Sequence, residues 1–209
     1  MNTVSGGDVL LTSSSAKRPH RSVRQPCDST RLACETRPLS TLIQHIVKHH
    51  HAWLRAQLPE IAQLIRQTIV RQGHTRSGQF IEMERLFRQF QRENENHLQK
   101  EEMILFPLIE KLEARVASGL SAERHSFGPL RNPVRFMMED HELANRLLEK
   151  MKDLAGERSA VHEIAAGQQA VLERLQAVEE DLKTHVHLED EILFPRAIRL
   201  EEASAPSSL

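Results

Sequence analysis

The stretch His97-Leu-Gln-Lys-Glu101-Glu-Met-Ile-Leu-Phe-Pro107 returns in the second half of the chain as His185-Val-His-Leu-Glu189-Asp-Glu-Ile-Leu-Phe-Pro195. Both copies read H-x-x-x-E-[ED]-x-I-L-F-P, and this repeat constrains the fold more than any other feature. A histidine and a glutamate four residues apart lie one turn apart on the same face of a helix. In both copies that face is the one expected to be apolar. Along the last helical segment the stripe steps through Val171, Leu175, Val178 and Leu182 to His185 and Glu189, then Ile192. In the second segment it runs through Met83, Leu86 and Phe90 to Asn94, His97 and Glu101, then Ile104 and Leu108. A third stripe, Val134, Met137, Ala144, Leu148 and Met151, is broken by His141. In the first, carried by Ile43, Val47, Leu54, Leu58, Ile61 and Ile65, both His50 and His51 fall near the core face, and periodicity does not choose between them.

These stripes predict four long helices from Leu39 to about Leu200. A kink is expected at Pro59, a turn bracketed by Gly73 and Gly78, a loop over Gly119–Pro133, and a stop near Gly156. Short connections make neighbours antiparallel, so the expected architecture is all-α, an up-down-up-down four-helix bundle. With 8 glycines, no tyrosine and one tryptophan, the chain is poor in the turn and aromatic residues of a β-sandwich or doubly wound sheet. Residues 1–38 read as a disordered, locally basic tail (Lys17, Arg18, Arg21, Arg24), residues 39–200 as the folded domain, and residues 201–209 as a frayed tail. Cys27 and Cys34 cannot build a disulfide framework or a four-cysteine zinc site and are expected to be free thiols in a reducing cytoplasm. Lys and Arg total 28 against 29 Asp and Glu, which gives no general attraction to nucleic acid. No apolar run approaches the roughly 20 residues of a membrane span.

Burying an unpaired carboxylate or imidazole costs roughly several kcal/mol. The twelve histidines are unevenly placed, and each repeat follows an upstream histidine on the core face: His50 or His51 before the first, His141 before the second. In antiparallel helices these residues reach one level. Four imidazoles and two carboxylates at one level are best satisfied by metal. Imidazole with carboxylate and no thiolate suits iron, manganese or zinc, and the ligand number suits two ions bridged by Glu101 and Glu189. Glu102, Asp190 and Glu191 read as supporting or solvent-facing groups.

The H-x-x-x-E motifs, each paired with an upstream histidine in a four-helix bundle, resemble haemerythrin-like domains. His45-Ile-Val-Lys-His-His-His51, then Leu58-Pro59-Glu60, the two repeats and Glu139-Asp-His141-Glu resemble more closely the bacterial iron–sulfur cluster repair di-iron proteins, over about residues 38–200. The resemblance implies two non-haem irons with an oxo or hydroxo bridge. It implies His51 rather than His50 as a terminal ligand, together with His97, His141 and His185, and Glu101 and Glu189 as bridges. A further family histidine near the end of the first helix falls close to His74. Full-length members begin with a small domain carrying adjacent cysteines, for which the tail here is too short and its two cysteines too far apart. The function this implies is repair of iron–sulfur clusters damaged by nitric oxide or oxidants, by iron supply or by consumption of nitric oxide, with the damaged iron–sulfur proteins as partners. The alternative is a haemerythrin-like protein that binds or senses oxygen or nitric oxide. The expected location is cytoplasmic, without nucleic acid or membrane partners; oligomeric state is left open.

Overall fold

The computed structural model of the chain describes residues 36–72, 77–123, 125–126, 128–156 and 162–205. Four helical rods account for nearly all of them. The first, α1 (residues 39–72), is α-helical over Leu39–Ile46 and Ala52–Gln72, with a π turn at Val47–His51 between. The second, α2 (residues 77–117), joins Ser77–Lys100 to Phe106–Ala117 through a π turn at Glu101–Leu105. α3 is Arg131–Gly156. α4 (residues 162–203) joins His162–His187 to Phe194–Ala203 through a π turn at Leu188–Leu193. Contacts run α1–α2, α2–α3, α3–α4 and α4–α1, so the rods form a closed ring with antiparallel neighbours. The expected up-down-up-down bundle is the observed fold. The basic tail, Cys27, Cys34 and His74 lie outside the described residues. Among the described residues no helix is long and apolar enough to cross a membrane.

The helix ends follow ordinary capping chemistry. Pro38 offers α1 no capping side chain, and the Glu113 carboxylate of α2 accepts instead from the Leu39 and Ser40 backbone N–H groups at 2.6 and 3.0 Å. α2 stops at Gly119, whose φ of 74° is easy only for glycine. There Gly119 N–H donates to Val116 and Leu120 N–H to Arg115, satisfying the last carbonyls. α4 runs to Ala203, slightly beyond the expected end near Leu200. Glu201 accepts from Leu130 N–H and Ser204 from Ala122 N–H, so this end is tied to the α2–α3 loop.

Two apolar cores fill the ring, one above the other. The lower holds Leu39, Ile46, Leu105, Ile109, Val134 and Leu193; the upper holds Leu54, Ile65, Phe87, Leu148, Met151 and Val171. In each helix the residues between the two cores are those at which the sequence stripes break.

α1 is helical on both sides of Pro59, and its departure from α geometry is a π turn that ends eight residues earlier. One sequence expectation is corrected here. Ile104, assigned to the core by periodicity, is 55% exposed, while Leu105, Phe106 and Ile109 are buried. The cause is the π turn at Glu101–Leu105. Its wider loop takes one extra residue, and one residue is about 100° of helix rotation, so the apolar stripe resumes one position late. Pro107 and Pro195 each lie two residues beyond a π turn. A proline has no N–H to give the preceding turn and its ring crowds the carbonyl four residues back, which favours a widened turn there.

Candidate metal centre

Three of the six residues singled out by the stripes stand within a π turn: His51 in α1, Glu101 in α2 and Glu189 in α4. His97 and His185 stand one turn before the two glutamates, and His141 comes from the unbroken α3. His51, Glu101 and Glu189 are fully buried, and His97, His141 and His185 nearly so. Their donor atoms form two overlapping groups. His51, His185, Glu101 and Glu189 make one, and His97, His141, Glu101 and Glu189 the other, with the ligand atoms of each within 4.8 Å of one another. Both carboxylates belong to both groups. His74 lies outside the described residues.

The inward-facing atoms are imidazole Nε2 nitrogens and carboxylate oxygens. His51 and His185 face each other through Nε2 at 3.0 Å, as do His97 and His141. His51 Nε2 is 3.4 Å from Glu101 Oε2, His97 Nε2 is 3.4 Å from the same oxygen, and His185 Nε2 is 2.9 Å from Glu189 Oε1. Supporting carboxylates set the tautomers. The Nδ1 of His51 meets Glu102 at 2.7 Å, and that of His141 meets Asp190 at 3.1 Å. A proton held on Nδ1 by a carboxylate leaves Nε2 as an electron-pair donor toward the centre. Arg55 donates to Glu102 at 2.8 Å and fixes it in turn. Each supported imidazole also packs along a phenylalanine of a repeat: His51 on Phe106 at 5.7 Å and 20°, His141 on Phe194 at 6.5 Å and 8°.

The two buried carboxylates sit in opposite electrostatic environments. Burial, and then the neighbouring Glu189 carboxylate, push the Glu101 carboxyl well above the usual carboxylate range. Burial acts on Glu189 in the same sense, but the imidazoles of His185, His141 and His51 overturn it and hold that carboxyl low. Burial lowers His97. It acts likewise on His141, where bonds to Asp190 and Glu189 prevail and raise the imidazole to about 9. Both Glu101 oxygens, and the Nδ1 atoms of His97 and His185, are buried without a hydrogen-bond partner. Buried polar atoms are ordinarily paired, and a carboxylate with neither oxygen satisfied is the arrangement a bound cation completes. The donor set therefore fits a non-haem metal site.

Sequence reasoning missed several of the residues that hold this layer. Asp140 Oδ2 lies 3.6 Å from His97 Nδ1 and accepts from Lys100 at 2.8 Å. The nearby His97 imidazole, and then the bond from Lys100, hold its carboxyl at about 2. Asp181 meets His50 Nδ1 at 2.9 Å. Asp140 adjoins His141 and Asp181 is one turn before His185, so adjacency to a histidine of the broken stripe was the available signal. Glu191 is exposed and Glu102 and Asp190 are partly buried, as their angular positions require.

Residues 42–197 match the family model described as the hemerythrin HHE cation binding domain. The iron-sulfur cluster repair protein YtfE of Escherichia coli O157:H7 is 29% identical over 162 residues, covering 77% of this chain and 67% of that protein. The protein of the same name from Citrobacter koseri is 29% identical over 164 residues, 78% of this chain and 68% of its own length. The family match spans all four helices and every described residue of the buried His/Glu layer. The chain is therefore a member of the haemerythrin HHE cation-binding family.

Proposed function

We propose that the buried layer is a di-iron centre serving the repair of iron–sulfur clusters damaged by nitric oxide or oxidants. One observation carries the reading: two four-residue ligand groups share both Glu101 and Glu189, and a shared carboxylate is what a bridged pair of ions requires. In this reading His51 and His185 serve one iron, His97 and His141 the other, and the two glutamates bridge them. When bound, such a pair supplies exchangeable ferrous iron and a redox-active position for a small ligand. The relatives named for iron–sulfur cluster repair support the repair reading; in it the centre acts in the cytoplasm by iron supply or nitric oxide consumption, with damaged iron–sulfur proteins as clients.

The chain's own residues define how the centre works. Glu102 and Asp190 hold His51 and His141 with Nε2 inward, and Arg55 keeps Glu102 in place. The two apolar cores exclude bulk water from above and below. A small cavity beside His97, His141 and His185, lined also by Asn94, Ala144 and Leu182, adjoins the layer. That cavity favours nitric oxide or oxygen as small ligands, and it supports gas binding as a second reading. His74 is proposed as a seventh ligand, and iron content of His74→Ala tests it: partial occupancy supports ligation, and an unchanged spectrum with both irons sinks it.

Metal analysis of protein from an iron-replete host, with near-ultraviolet and visible spectra before and after nitric oxide, tests the main reading. Two irons per chain and a spectrum altered by nitric oxide are expected. Stoichiometric zinc alone, or no metal, overturns it. Recovery of cluster enzyme activity on adding the iron-loaded protein to a nitric-oxide-damaged client separates repair from gas binding.

A further inference from the structure

The repeat gives each position around His51 a counterpart around His141: 50 with 140, 49 with 139, 45 with 135. In the α3 half none of these positions carries a histidine. Arg135 and Glu139 form an exposed ion pair at 3.7 Å, and Asp140 sits between Lys100 and His97. In the α1 half all three are histidines. The ring centroids of His45 and His49 are 4.6 Å apart and those of His45 and His50 5.9 Å. His50 lies nearly parallel to His185, at 5.6 Å and 12°. Exposure falls along this series, from the exposed His45 and His49 to His50 at 8% and His185 at 1%. The bundle does not need imidazoles here, because its other half is built without them.

We propose that His45 and His49 form an exchangeable site for a first-row divalent cation outside the centre, and that through His50 it is the route by which iron reaches and leaves the His51–His185 side. The delivery step rests on the di-iron reading above; cation binding by the outer pair does not.

The ring spacing is close to that of the molecule's own metal-capable pairs. His51–His185 and His97–His141 have centroid separations of 4.8 and 4.6 Å, the same spacing as His45–His49. With metal–nitrogen bonds of about 2.0–2.1 Å, two imidazoles on neighbouring positions of one ion stand at about this distance. Partial shielding from water, then His49 and His50, lower the pKa of His45, which favours the neutral form that ligates. Asp181 holds His50 through Nδ1, so Nε2 is its nitrogen left to coordinate, and Asp181 Oδ2 is buried without a partner. Two exposed imidazoles completed by water bind weakly and exchange fast, whereas the inner groups add two carboxylates. Affinity therefore rises inward along the series.

The test uses the iron-loaded full chain titrated anaerobically with cobalt(II), followed by equilibrium dialysis and visible absorption. Wild type is expected to take up one further cobalt per chain, and His45→Gln/His49→Gln to take up none at an unchanged melting temperature. No further cobalt on wild type, or equal uptake by the double variant, overturns the site. The route is tested by mixing metal-free protein with ferrous iron in stopped flow. The double variant is expected to reach the wild-type iron content about tenfold more slowly, equivalent to about 1.4 kcal/mol of lost capture. Equal rates overturn the route. A wild type that never acquires two irons instead defeats the di-iron reading, and the cobalt titration still decides the outer pair.

Discussion

Replacing Glu101 with methionine sets the folding and binding roles of the centre against each other. Methionine is close to glutamate in length and volume, so the substitution changes polarity with little change in packing. Glu101 is fully buried and neither carboxylate oxygen has a hydrogen-bond partner. Relieving an unsatisfied buried polar group is worth roughly 1–3 kcal/mol, and the apolar burial gained adds roughly 1 kcal/mol. Metal-free Glu101→Met is therefore expected to be about 2–4 kcal/mol more stable than metal-free wild type. For a domain of this size that raises the melting temperature by about 5–15 °C. Iron acts in the opposite direction on the comparison. At one hundred times its dissociation constant a bound ion stabilises wild type by about 2.7 kcal/mol, and it leaves the variant, which lacks a shared carboxylate, far less affected. Thermal unfolding of both proteins with chelator and with anaerobic ferrous iron reads all four states. A metal-free variant less stable than wild type, or equal iron-induced shifts in the two proteins, refutes the reasoning.

Glu102→Ala is expected to weaken iron binding about 10- to 100-fold by freeing His51 Nδ1, whereas Glu191→Ala, at an exposed position, leaves it unchanged; competition with a chromophoric chelator measures both. Burial alone raises the Glu113 carboxyl, but the Ser40 and Leu39 backbone N–H groups overcome this and hold it below its ordinary value. Its contribution is thus complete above the unfolded carboxylate range and is lost as pH falls through the depressed folded value. Urea unfolding of Glu113→Ala is expected to show a loss of about 1 kcal/mol at pH 7 that shrinks on acidification below that range. A Cβ on Gly167 comes within 3.1 Å of both Cγ2 and Oγ1 of Thr68, whose hydroxyl is held by the Leu64 carbonyl. Gly167→Ala is therefore expected to destabilise by about 1 kcal/mol despite its better helix propensity, with Thr68→Ser restoring part of the loss in a double-mutant cycle.

Helix number, direction and approximate bounds were legible from the amino-acid order because each helix needs a buried stripe and these stripes are long. The His/Glu layer was legible for the same reason. A polar residue at a core position is conspicuous, and i, i+4 spacing on a rigid helix carries its partner to the same face. Register beyond the layer was legible in α4, where Ile192 is buried as its stripe requires, but not in α2, where Ile104 is exposed. Ile104-Leu105-Phe106 and Ile192-Leu193-Phe194 are runs of adjacent apolar residues, so a stripe can continue through either of two positions at equal hydrophobic gain. In α2 the π turn decides between them, and Leu105 rather than Ile104 is buried. His50 and His51 were indistinguishable for a related reason: both are buried, one toward the centre and the other against Asp181 and the His185 ring. Asp140, Asp181 and Arg55 acquire their roles across helices, from residues far away in the chain. Periodicity reports which way a side chain faces from its own helix. Only the assembled bundle determines what it meets there, because that depends on the height and rotation of three other helices.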